Sequence, residues 1–259
     1  MKCESTIHHS EIVKFFFKIV TATLLGIITT CIIPRGVRAQ MFSVGSEGPR
    51  FNIPQNEFYV GLEPMDVTYK GSDQQGGIFA FNGSIIRLGY KSNGLDLFMG
   101  TGGKITGIND VSYFDVGGNI DIGFITLQHS KSFTLQIPVR IAFRYTNMTN
   151  AHTIISRYDR FKFGSLTGGI GLHLRVRPGK NIRVDVLGVP SYGASFASGG
   201  FFGGSVGSMA AEGRVYFDNL FGNMGLSVGY KYDLRNYDVD QNVYDYNISG
   251  NNVEVGITF

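Results

Sequence analysis

Between residues 132 and 147 apolar and polar side chains alternate almost without a break. Phe133, Leu135, Ile137, Val139, Ile141, Phe143 and Tyr145 share one parity, and Thr134, Gln136, Arg140, Arg144 and Thr146 share the other. Successive side chains of a β-strand point to opposite faces, so this stretch presents one apolar and one mostly polar face. It is long for a soluble strand, and a tilted strand needs only about 9–11 residues to cross a bilayer.

The same alternation recurs along the chain. It predicts strands over 57–69, 78–90, 113–128, 161–176, 208–217, 224–234 and 249–259. Two shorter ones are marked by Leu95, Leu97 and Met99 and by Ile182, Val184 and Val186. Lys91-Ser92-Asn93-Gly94 and Arg177-Pro178-Gly179-Lys180 read as tight turns; Asn-Gly is the strongest short hairpin signal. Residues 188–207, rich in Gly, Ser and Phe, and the polar 235–247 read as long loops. Short turns and longer loops alternate, as in bacterial barrels with short periplasmic turns. The expectation is an all-β fold: a transmembrane antiparallel up-and-down β-barrel of about 10 strands, the pattern also admitting 8 or 12. Only a closed barrel leaves no unpaired strand edge in lipid.

Composition agrees: 36 Gly, 13% aromatic and 17% charged residues in 259, with no Trp. Residues 1–39 differ. Lys2, Lys14 and Lys18 precede or enter an apolar run over 19–33, followed by Pro34 and by Val37-Arg38-Ala39. That is the pattern of a signal peptide cut between Ala39 and Gln40. Residues 40–56 then read as a periplasmic lead-in and 57–259 as the barrel domain. The leader holds five Lys/Arg and two Asp/Glu, so 18 basic and 18 acidic residues remain. The basic balance therefore belongs to the leader and points to no nucleic acid. Both cysteines, Cys3 and Cys31, lie in the leader, which leaves no disulfide or thiolate chemistry.

The final stretch carries Val253, Val255, Ile257 and Phe259 at alternating positions. With the strand pattern and loop asymmetry, it resembles the porin-like and opacity-like superfamily of small Gram-negative outer-membrane β-barrels, over roughly 57–259. The terminal pattern resembles that family's assembly signal. The resemblance implies residence in the outer membrane of a Gram-negative bacterium, contact with outer-membrane lipid, and insertion by the barrel assembly machinery. It implies little about activity, since a fold does not supply a function.

With lipid outside, the polar face collects Arg87, Asp121, Arg140, Arg144, His173, Arg175, Arg183, Asp185, Glu212, Arg214, Lys231, Asp233 and Glu254 in the lumen. Mixed signs predict a salt-bridged interior plug, because side chains largely fill small barrels. A hairpin with Gln128 opposite Phe133 puts Asp121 directly across from Arg140. No catalytic set stands out. His152, Ser156 and Asp159 share a loop and have the residue types of a nucleophile, base and orienter, but such residues are common in polar loops. The Asp-x-His pairing expected of a protease resembling the omptins is missing. Asp238, Asp240 and Asn242 are spaced like calcium ligands, yet Val243 stands where the loop needs Gly and Ser249 where it needs Glu. No metal or cofactor is expected. The function expected is a non-enzymatic barrel, structural or acting through its outer loops on an unidentified partner, passing at most small solutes. The rivals are an outer-membrane enzyme acting on lipid or peptide and a soluble lipocalin-like binder of a small apolar ligand, which shares the strand period with its apolar face turned inward.

Overall fold

The computed structural model describes residues 55–70, 81–103, 111–130, 132–150, 160–197, 203–239 and 245–259. All regular structure among them is β-strand: β1 (Asn56–Tyr69), β2 (Phe81–Ser92), β3 (Leu95–Gly103), β4 (Val111–His129), β5 (Phe133–Asn150), β6 (Arg160–Ile170), β7 (Leu172–Val176), β8 (Ile182–Ala197), β9 (Gly204–Phe221), β10 (Met224–Val239) and β11 (Tyr246–Thr258). Each strand pairs antiparallel with its neighbour, and β1 closes on β11 from Glu57↔Thr258 to Tyr69↔Tyr246. β6 and β7 are one stave interrupted at Gly171. Val139↔Ile170 and Gln136↔His173 keep one register across the break, and Gly171 N–H still donates to Pro138 O. The described residues therefore form a closed barrel of ten staves.

Following paired residues round the barrel from Asn56 through Ser92, Leu95, Ile120, Ile141, Gly168, Tyr192, Gly207, Asn236 and Asn247 returns to β1 at Thr68, twelve residues on. An offset of that order tilts ten staves by about 35–45°, the usual range for membrane barrels. Asn93 (φ 43°) and Gly94 (φ 86°) make the β2–β3 turn with both central residues left-handed, the geometry that two-residue hairpins favour.

Several strands run further than their patterning suggests. Residues 188–207 are not one loop: β8 continues to Ala197 and β9 starts at Gly204. Small residues can line both faces of a strand wherever neighbours supply the ladder bonds. Likewise β10 extends to Val239 and β11 begins at Tyr246, inside the expected loop 235–247. Gln128 faces Leu135 rather than Phe133, because β4 bulges at Gly123/Ile125 and at Thr126/Gln128. Above the bulges the register restores Asp121↔Arg140. β3 pairs with β4 only as far as Leu95↔Ile120, so the bulged end of β4 is bonded to β5 alone. Bulges are one way proteins blunt such an edge. Pro64 does not interrupt β1. It pairs with Ser84 of β2, while the β1–β11 ladder skips from Leu62↔Val253 to Met65↔Gly250, where Pro has no N–H to give.

Candidate functional site: the barrel lumen

The outward face divides in two. From the short turns to mid-height it is uncharged and apolar: Phe58, Val60 and Leu62 on β1, Leu226, Val228 and Tyr230 on β10, Val253, Val255 and Ile257 on β11 and Phe259 just after it. Towards the long connections the same face turns polar on β1, β2, β10 and β11, with Asp66, Thr68, Asn82, Ser84, Asn236, Asp238, Asn247, Ser249 and Asn251, while β8 keeps Tyr192 outward. The inward face does the reverse. Its turn-end half is charged, and its loop-end half is a packed apolar cluster of Met65, Val67, Phe81, Ile85, Tyr113, Met148, Phe163, Val206, Tyr237, Val239, Tyr246 and Ile248. Phe81 stacks on Tyr113 at 5.8 Å, and Phe163 meets Tyr237 at 5.8 Å and Tyr246 at 6.1 Å. The lower half thus has the polarity of a barrel in lipid. The upper half has the polarity of a barrel in water.

All thirteen residues of the lumen set lie on the inward face, in four groups. Nearest the short turns, Arg214 is 2% exposed and ion-pairs with Glu57, Glu254 and Glu212, the last at 3.1 Å. Lys91 bonds Glu212 and lies 3.6 Å from Glu254. Ser227 Oγ donates to Glu57 at 2.5 Å, and Asn252 Nδ2 to Glu254 at 2.6 Å. Gly229 leaves room for Arg214: a Cβ there would stand 2.8 Å from the guanidinium carbon and push it aside.

At mid-height, Arg87 Nε donates to Glu63 at 2.7 Å and Nη2 reaches Asp115 at 3.4 Å. Arg144 joins Asp115 (Nε, 2.8 Å) to Asp233 (Nη1, 2.5 Å), and Arg235 Nε lies 3.2 Å from Asp233. The Phe98 ring lies beneath three cations, Arg87 at 4.6 Å, Arg144 at 5.0 Å and Lys231 at 5.4 Å. Beside this group Arg140 grips Asp121 with two bonds of 2.6 Å. Asp96 accepts from Tyr59 (2.8 Å) and Asn119 (3.1 Å) and pairs with Lys231 at 3.3 Å. The fourth group is on β7–β9. Arg175 holds Asp185 at 3.0 and 2.9 Å, His173 lies 3.7 Å from the same carboxylate, and Arg183 pairs with Asp218 at 3.4 Å while covering the Tyr216 ring at 3.7 Å.

Seven charged members fall outside the patterned set: Glu57, Glu63, Lys91, Asp96, Asp115, Asp218 and Arg235. Asp115 shares the parity of Asp121 on the same strand, a signal that could have found it. Lys91, Asp218 and Arg235 were hidden because the strands holding them were expected to end earlier. The apolar cluster also left a trace. On β11 the apolar residues change parity, from Tyr246 and Ile248 to Val253 and Val255.

Phe259 stacks on Phe58 (5.5 Å), which contacts Tyr90 (5.0 Å), an aromatic group at the short-turn end. Asn252, Glu254 and Thr258 point inward from the same strand. Ala39 and Gln40, the trio His152, Ser156 and Asp159, and the Asp240–Asn242 part of the calcium-like loop lie outside the described residues. Among the described residues no group of His, Cys, Asp and Glu is arranged to hold a metal.

No protein-family model and no curated protein sequence matches the chain. Solved structures do. The outer-membrane protease OmpT from Escherichia coli is 11% identical with a TM-score of 0.39, covering 83% of this chain and 100% of its own. Neisserial surface protein A is 11% identical with a TM-score of 0.28, covering 76% and 96%. Ail, the attachment invasion locus protein of Yersinia pestis, in complex with a heparin analogue, is 14% identical with a TM-score of 0.25, covering 79% and 99%. The chain has the fold of an outer-membrane β-barrel: antiparallel staves closed first to last, an uncharged apolar belt outside and ion pairs within.

Proposed function

We propose that this protein is a non-enzymatic barrel of the Gram-negative outer membrane, closed to solutes, which acts through the loops carried on its water-facing half. The observation that carries the reading is the doubly plugged lumen. Ion pairs fill the half within lipid, and the apolar cluster, with Val67, Ile85, Met148 and Ile248 fully buried, fills the half above it. Twelve packed apolar side chains across the lumen support a closed interior rather than an aqueous path wide enough for sugars or peptides. The polar outer surface at that level suits a rigid stalk lifting the five loop connections clear of lipid. Loops on a rigid scaffold are where binding residues concentrate.

Purified, refolded protein in planar bilayers and in sugar-loaded liposomes tests this. The expectation is tight insertion with no stepwise current of open-channel size and no swelling in sugar. Sustained open-channel steps would replace this reading with a pore, and failure to insert without loss of the fold would favour the soluble binder.

A further inference from the structure

The outward face is not the same all round the barrel. Beside the closure it turns polar at the loop end, with Asp66 on β1 and Asn236 on β10. On the opposite side it stays apolar. Phe114 follows Tyr113 on β4, Tyr145 on β5 pairs with Gly164 beside Phe163, and Tyr192 on β8 pairs with Gly207 beside Val206. Tyr113, Phe163 and Val206 belong to the apolar cluster, so the three outward aromatics stand at the level of the loop-end half. They are 38%, 41% and 67% exposed. On β8 every outward position from Ile182 to Phe196 is apolar or glycine. A tilted barrel does not explain this. Tilt lifts both edges of the belt on one side, yet the exposed Leu172 and Ile182 carry it down to the short turns. The belt is taller here rather than displaced. A bilayer of one thickness that matches the shorter belt leaves the top of the taller one in water. Contiguous apolar surface in water marks an interaction face.

The face also fits itself. Tyr192 stands out from β8, and its pairing partner on β6 is Gly168, where an added Cβ would meet nothing within 4 Å. Leu166 and Ile170, 50% and 63% exposed, rise on either side of that glycine along β6. A knob and a hollow thus lie side by side at nearly one height. Two copies inserted the same way share a two-fold axis only along the membrane normal, so facing residues keep their height. With the axis between β6 and β8, each Tyr192 falls on the partner's Gly168. Four staves about 4.8 Å apart and roughly 30 Å of height offer about 600 Å² per copy, the lower end of a standard interface.

We infer that this face docks a second copy of the chain, forming a two-fold dimer in which Tyr192 of each copy packs between Leu166 and Ile170 of the other. The inference rests on the reading of the loop-end half as standing in water. Cross-linking of the full chain in outer membranes, with Cys3 and Cys31 replaced by Ser, tests it. Ala194→Cys, beside the axis, should give a disulfide-linked band of twice the mass, and Asn236→Cys on the polar side should not. Refolded protein in mild detergent should sediment as a dimer. Tyr192→Ala and Gly168→Leu should each raise the dimer dissociation constant roughly 10–100-fold, the effect of losing one aromatic anchor. Both variants should keep the folded, heat-modifiable band, which separates lost docking from lost folding. A folded parent that stays monomeric at every concentration, equal cross-linking at both cysteines, or a dimer untouched by Gly168→Leu would overturn the interface. A monomer that inserts and passes no sugar would leave the closed barrel standing, whereas open-channel current from a dimer would strike the closed barrel and keep the interface.

Discussion

The strands around the closure, β1, β2, β10 and β11, each behave as two strands of opposite polarity laid end to end. On β1, Glu57 and Glu63 face in while Val60 and Leu62 face out; two residues on, Met65 and Val67 face in while Asp66 and Thr68 face out. β2, β10 and β11 do the same at the same height. The backbone ladder is continuous through the change, so hydrogen bonding does not distinguish the halves. On the proposed reading, what differs is the medium outside. Lipid rewards apolar side chains outward and leaves the interior to charges that must satisfy one another. Water reverses the preference, and the interior becomes an ordinary hydrophobic core. The lower half therefore depends on pairing geometry and the upper half on packed volume.

The sharpest break falls in the charged half. Replacing Arg214 with Met takes the guanidinium from Glu57 and leaves Glu212 and Glu254 with Lys91. Losing one partner of a buried ion pair costs about 3–5 kcal/mol, so the variant should lose its folded, heat-modifiable band at much lower urea than the parent. In the upper half, Ile248→Ala opens a void in a fully buried site and should cost about 2–5 kcal/mol. The same urea titration reads it, and its cost should be insensitive to detergent chain length, because that half stands in water.

The outward face offers a direct contrast on one strand. Val228→Arg, in the apolar belt, should approach the roughly 2–4 kcal/mol of a charge placed in the bilayer. Asn236→Arg, on the same face of β10 but in the polar half, should stay within about 0.5 kcal/mol. Equal costs would abolish the distinction between the halves. A smaller effect is expected at Asp121 and Arg140, whose side chains are 19% and 6% exposed. A double-mutant cycle with Asp121→Asn and Arg140→Gln should return a coupling of about 1 kcal/mol, and no coupling would mean that water competes fully for that pair. Smallest in the finished barrel is Phe259 at the interface, where a charge costs about 0–1 kcal/mol. Removing Phe259 should barely change unfolding of refolded protein yet sharply reduce the folded band in outer membranes; normal insertion would remove the assembly role from the terminal pattern.

Much of this was legible in the chain. Alternation is a local property with a period of two, so it marks strands and faces before any partner is known. It sufficed for an all-β closed barrel of ten staves and for the β1–β11 closure. It also put Asp121 opposite Arg140, although the hairpin register assumed for that pair fails below Gly123, where the bulges enter. Alternation falls silent where small residues occupy both faces, as at Gly193, Ala194 and Ser195, and there two strands read as one loop.

Tertiary structure decided which charges distant in sequence meet. Arg214 reaches Glu57 across 157 positions of sequence because the closed sheet brings β9 and β1 to face the same interior, and Arg144 reaches Asp233 across 89 for the same reason on β5 and β10. Such partners depend on the stagger accumulated round the whole barrel, which no single strand encodes. The meaning of parity also had to wait for the fold. An apolar residue faces outward in lipid and inward in water, so Val67 and Val255, alike in their strand, take opposite faces only because closure places them at different heights.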